Sequence, residues 1–73
     1  MLSYQMAQIK AATDYAQKNS KHMISIKSIE FVDYKLDLSV QENKSCQKFR
    51  YELVGKANCG IKIQKVSKLG QCN

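Results

Sequence analysis

Tyr34-Lys35-Leu36-Asp37-Leu38-Ser39-Val40 alternates apolar and polar side chains without a break. A period of two marks a β-strand with one face buried and the other in solvent. The same period continues downstream. Phe49, Tyr51 and Leu53 alternate with Lys48, Arg50 and Glu52, and Ile61 and Ile63 alternate with Lys62 and Gln64. Residues 41–45 read as a polar loop between strands, and Gly55-Lys56-Ala57-Asn58 as a turn. Upstream, residues 23–32 are rich in β-branched side chains but change parity. Ile24 and Ile26 share one phase, Ile29 and Phe31 the other. A bulge, a turn or an irregular entry to the sheet explains such a slip. The sheet is therefore expected within residues 23–66, with three to four antiparallel strands, and residues 67–73 as a C-terminal tail.

Before the strands lies a different period. Leu2, Met6, Ile9, Thr13 and Ala16 recur every three to four residues, with Ala12 alongside. This is the stripe of an amphipathic helix, expected within residues 1–20. Ala7, Ala11, Ala12 and Ala16 add helix propensity. Asn19-Ser20 is a stop, and Lys18, Lys21 and His22 suit the negative end of the helix dipole. Ser3 is the sole N-cap candidate, so the helix reads as the tail of a longer one. The expected fold is α+β: one N-terminal helix packed on the apolar face of a small antiparallel sheet. That face would carry Leu36, Leu38, Val40, Phe49, Tyr51, Leu53, Ile61 and Ile63.

The chain has 73 residues, enough for one domain, 1–73, with a marginal core. Apolar residues make up 44% of it, too many for a disordered chain. No apolar run approaches the roughly 20 residues that span a bilayer. Met1 leads into the helical pattern without the hydrophobic core of a signal peptide, so an exported chain would have its targeting segment removed.

The net charge is +6, and its placement is lopsided. Five lysines and five carboxylates cancel in residues 1–42, whereas residues 43–73 hold seven cations against Glu52 alone. Alternation would put Lys48, Arg50, Lys62 and Lys68 on the solvent face of adjacent strands. Such a face suits an anionic partner, DNA or an acidic protein surface; the plainer reading is a solubilising face.

No catalytic signature is present, and an enzyme is not expected. There is no Gly-rich phosphate loop, serine nucleophile elbow or EF-hand spacing, and the carboxylates form no evident acid/base pair. Cys46, Cys59 and Cys72 are separated by twelve residues in each gap, and His22 is the single histidine. Zinc needs closer ligand pairs and a fourth donor, so no metal or other cofactor is expected. A disulfide in so small a domain is favoured over three reduced cysteines. A simple hairpin of the last two strands favours Cys46–Cys72. A tail that folds back favours Cys59–Cys72.

An Ala-rich amphipathic helix, then an antiparallel sheet, then a cysteine next to the C-terminus resembles the soluble half of type IV pilin-like proteins, the minor pilins and pseudopilins. Residues 6–16, Met-Ala-Gln-Ile-Lys-Ala-Ala-Thr-Asp-Tyr-Ala, look like the second half of that family's long helix. Cys59 and Cys72 look like its C-terminal disulfide loop, with Cys46 as an extra cysteine. The family's apolar N-terminal helix half is not in this sequence. The resemblance implies a non-catalytic subunit of a bacterial pilus, secretion machine or DNA-uptake pseudopilus, exported to the cell envelope. It would assemble with other pilin-like subunits through its helix and meet the membrane only through an upstream segment. The alternative is a free-standing binding domain, either of cystatin-like fold or a cytosolic nucleic-acid binder. The cystatin motif Q-x-V-x-G is not matched; its nearest stretch is Tyr51-Glu52-Leu53-Val54-Gly55.

Overall fold

The computed structural model describes residues 3–56 and 60–72. One helix, α1 (Tyr4–Lys18), is followed by four strands, β1 (Ile24–Val32), β2 (Lys35–Glu42), β3 (Ser45–Lys56) and β4 (Gly60–Gln71). The strands form an antiparallel meander in the order β1-β2-β3-β4. The α+β class and the helix-on-sheet layout are as the periodicities require.

Helix α1 starts where a side chain can satisfy its free amides. Ser3 is extended, and its hydroxyl accepts a hydrogen bond from the Met6 amide at 3.1 Å. The helix thus begins at a capped residue instead of continuing a longer helix through Ser3. It ends at Asn19, whose side chain donates to the Tyr15 carbonyl. The chain then crosses to β1 with its backbone held from two sides. Gln17 donates to the His22 carbonyl and accepts from the Ile24 amide, while the Glu42 carboxylate accepts from the amides of Lys21 and His22.

The buried stripe of α1 is rotated from the expected one. Ala7, Gln8, Ala12 and Ala16 are buried, whereas Met6 is 55% exposed; Leu2 lies outside the described residues. Residues 8, 12 and 16 form one i, i+4 ridge. Small side chains on that ridge let the helix backbone approach the sheet, and the sheet supplies the volume. Leu36 and Leu38 are fully buried beneath it, joined by Val40, Tyr51 and Leu53. Tyr15 meets Tyr51 edge-on, ring centroids 6.0 Å apart. Burial, with a smaller contribution from Tyr15, pushes the Tyr51 hydroxyl up to about 12.

Both inner hairpin turns are tighter than the sequence suggests. Val32 pairs with Lys35 and Glu42 with Ser45, which leaves two-residue turns at Asp33-Tyr34 and Asn43-Lys44. Asp33 and Asn43 take φ of 56°, a left-handed conformation that these residue types tolerate. Tyr34 accordingly belongs to a turn, 91% exposed, and not to the strand face it was expected to share with Leu36. At the third turn, Gly55 has φ of 116°, and a Cβ there would collide with the Gly60 carbonyl. Positions 57 and 58 of the expected turn lie outside the described residues.

Each outer strand accommodates extra residues. In β1, Ile26 pairs with Val40 and Ser28 with Ser39, so Lys27 is extra. That bulge returns Ile29 and Phe31 to the helix side, opposite Leu38 and Leu36, and explains the parity slip. In β4 the extra residues are Gln64 and Leu69. These two bulges hide the period of two, which is why residues 67–71 read as tail although they are strand.

A disulfide joins Cys46 to Cys72, with Cα atoms 5.3 Å apart, and the Cys72 amide donates to the Cys46 carbonyl at 3.0 Å. The bridge closes the open end of the β3–β4 hairpin. The expected Cys59–Cys72 pairing is thereby replaced. Cys59 lies outside the described residues; the other end of the hairpin is the Lys56–Gly60 pair. Ten residues of strand, roughly 30 Å, separate that end from Cys46, whereas bridged Cα atoms lie within about 7 Å.

Cys72→Ser should lower the unfolding free energy by about 3.5 kcal/mol in the chain-entropy account of the loop it opens, measured by urea denaturation. Non-reducing peptide mapping of Cys59→Ser should still recover the Cys46–Cys72 linkage. Its loss would contradict the observed pairing.

Candidate functional site

In an antiparallel sheet, directly paired residues project from the same face. The register therefore assigns every side chain opposite Asp37 or Ser39 to the face that α1 leaves open. One row across that face is Glu30, Asp37, Arg50 and Ser67; a second is Ser28, Ser39, Lys48 and Gly70; a third is Val32, Lys35, Glu52 and Lys65. Lys62 lies opposite Val54 on the same side.

Of the four cations expected to share the solvent face, Lys48, Arg50 and Lys62 do. Lys68 does not. It pairs with Phe49, a residue of the helix side, because the bulge at Gln64 reverses the phase of β4 beyond it. The same reversal brings Lys65 onto the open face and Val66 under the helix. Alternation read from Ile61 and Ile63 alone misses this exchange. The displaced Val66, an apolar residue out of phase, is the sequence signal that could have revealed it.

The open face carries carboxylates as well. The Arg50 guanidinium donates two hydrogen bonds to Asp37, at 2.8 and 2.9 Å, in a bidentate arrangement. The Asp37 side chain is 2% exposed and that of Arg50 32%. Hydrogen bonding to Arg50 holds the Asp37 carboxyl below its ordinary value of 3.8 against the opposing effect of burial; the charges of Arg50, Lys48 and Lys35 add to the lowering. Hydrogen bonding to Asp37 likewise raises Arg50. Lys48 lies 4.0 Å from Glu30 in a loose, exposed ion pair of small energetic value. Glu52 stands between Lys35 and Lys65 in register. Five cations and three carboxylates thus interleave among the described residues of this face. Its basic excess lies toward β4, where Lys62 and Lys65 stand on a strand without a carboxylate.

Among the described residues, no group of three or more His, Cys, Asp or Glu side chains is placed to hold a metal ion, and no helix is long and apolar enough to cross a membrane. The surface can act by charge and shape, with a bidentate ion pair at its centre and lysines along one side. Comparison with protein families, curated proteins and solved structures finds no match for this chain.

The Asp37–Arg50 pair has a pH signature. A carboxyl whose folded-state pKa is depressed stabilises fully above its unfolded value of 3.8, and that stability is lost as pH falls through the lower folded value. In Arg50→Gln, burial acts on Asp37 without its principal partner, so acid destabilisation should begin at higher pH than in the parent chain. Melting temperatures collected from neutral to strongly acidic pH check this, and parallel curves would refute it.

Proposed function

We propose that this chain is a non-catalytic assembly subunit of a bacterial envelope machine, a pilus or a secretion or DNA-uptake pseudopilus. One observation carries the reading. The helix covers one side of a disulfide-closed antiparallel sheet yet leaves Tyr4 and Met6 exposed in its first turns, at 46% and 55%. Apolar side chains there offer a neighbouring subunit a contact that the domain's own core does not use. The Cys46–Cys72 bridge is consistent with an exported chain, since such bonds persist in oxidising compartments. In this reading the membrane is met only through a segment upstream of residue 1.

The basic excess along β4 is the proposed contact for DNA or an acidic neighbouring surface. Lys62 and Lys65 are the principal residues, and Lys48 adds charge farther along the same face, opposite Gly70. Arg50 contributes less, because its guanidinium is engaged by Asp37. A specific observation favours a second reading. The Ser3 cap closes the helix on itself, as suits a free-standing binding domain of helix-on-sheet type.

In cells that make the chain, Met6→Glu should remove it from envelope filaments while the folded domain persists. Filaments of unchanged content would sink the assembly reading and leave the free-standing domain. For the anionic contact, Lys62→Glu combined with Lys65→Glu should weaken duplex DNA binding and reduce the slope of log affinity against log salt by about 2, roughly 1 per lysine. Arg50→Gln should leave that slope nearly unchanged. Equal effects of the two changes would return the contact to the centre of the face.

A further inference from the structure

We infer that the groove at the N-terminal end of α1 is a binding site for a methylated ammonium group. The groove encloses about 290 Å3 between the first turns of the helix and the β1–β2 turn. Three aromatic residues line it, Tyr4, Phe31 and Tyr34, together with Leu53, the neutral amides Gln5 and Gln8, and the acidic Asp33. Phe31 is brought there by the β1 bulge, which turns it to the helix side opposite Leu36. Asp33 and Tyr34 are the two central residues of the turn, so one tight backbone conformation places both at the groove.

The rings are available. Tyr4 is 46% exposed, Phe31 37% and Tyr34 91%, and none is stacked on another among the described residues. Tyr34 in particular has no packing role that would account for an aromatic residue in a two-residue turn. Leu53, by contrast, is buried and forms an apolar floor.

Charge selects the ligand class. The chain carries a net charge of +6, yet no lysine or arginine lines this groove and one carboxylate does. An anion would meet an acidic side chain and no cationic one there, with only neutral groups such as Gln5 and Gln8 to receive it. A hard divalent cation is best held by several carboxylates at one site, and this groove offers one. A methylated ammonium has a diffuse positive charge and an apolar shell, which suit the negative faces of aromatic rings. The acidic side chain then balances its charge. The groove lies at the lower end of the roughly 300–1,000 Å3 of small-molecule sites, ample for a methylated ammonium.

The test uses the full oxidised chain and choline chloride as the probe, with ring-proton NMR of Tyr4, Phe31 and Tyr34 as the readout. Ammonium chloride at equal ionic strength is the control. Choline should shift all three rings saturably in the millimolar range, and ammonium should not. Tyr34→Ala should weaken choline binding about tenfold, by loss of one cation–π contact, while Tyr34→Phe retains it. Asp33→Asn keeps a residue that tolerates the left-handed turn and removes the charge, and should also weaken binding. The inference is overturned if choline produces no saturable shift, if ammonium produces the same shifts, or if Tyr34→Ala binds as the parent does. Phosphatidylcholine vesicles that compete with choline would identify the source as a lipid headgroup. Binding of choline without such competition would identify a soluble ligand.

Discussion

The register of β2 is the constraint on which the molecule depends. Its even-numbered residues Leu36, Leu38 and Val40 lie beneath the helix, and its odd-numbered Asp37 and Ser39 are buried on the other side. A slip of one residue would drive a carboxylate under α1 and three aliphatic side chains into solvent. Both neighbours reinforce the same phase. Tyr51 and Phe49 stand opposite Leu36 and Leu38, while Arg50 reaches Asp37 with both hydrogen bonds. The hydrophobic face supplies most of the burial, and the ion pair penalises the alternative register. The pair acts on stability as well as on register, because removing Arg50 would leave Asp37 buried without its partner.

The helix follows from that arrangement. The sheet already fills the core with Leu36, Leu38 and Tyr51, so what it needs from α1 is closeness more than volume. Ala7, Ala12 and Ala16 provide it, and Gln8 is buried because it stands on the same ridge. The larger apolar residue Met6 is left outside as a consequence. A stripe drawn by hydrophobicity points to Met6, which is exposed, as well as to Ile9, which packs at the margin of the core; the stripe that is buried is drawn by size.

Much of the fold was legible in the sequence for a simple reason. Alternation over 34–40 and 49–53 and the three-to-four period of the helix each belong to a single element, and a single element is read locally. The open face was not legible to the same degree, because it depends on which strand residues meet. The sequence divides its charge between an almost neutral first part and a basic second part. Antiparallel pairing sets those parts side by side, so Glu30 approaches Lys48 and Asp37 holds Arg50. The bulge at Gln64 further exchanges Lys65 for Lys68 between the faces. The cysteine pairing was open for the same reason: its outcome rests on where the last strand ends, and that strand runs on to Gln71.

All three extra residues, Lys27, Gln64 and Leu69, fall in the two outermost strands, and the inner pair is regular. A border that bends where a flat row of amides and carbonyls would otherwise face outward is a poor template for another chain. The sheet is thus finished at four strands on both sides, and lysines on β4 repel what the bends do not deter. Bent margins of this kind disfavour growth by edge-to-edge pairing and leave the helix, the turns and the charged face as the smoother surfaces of the domain.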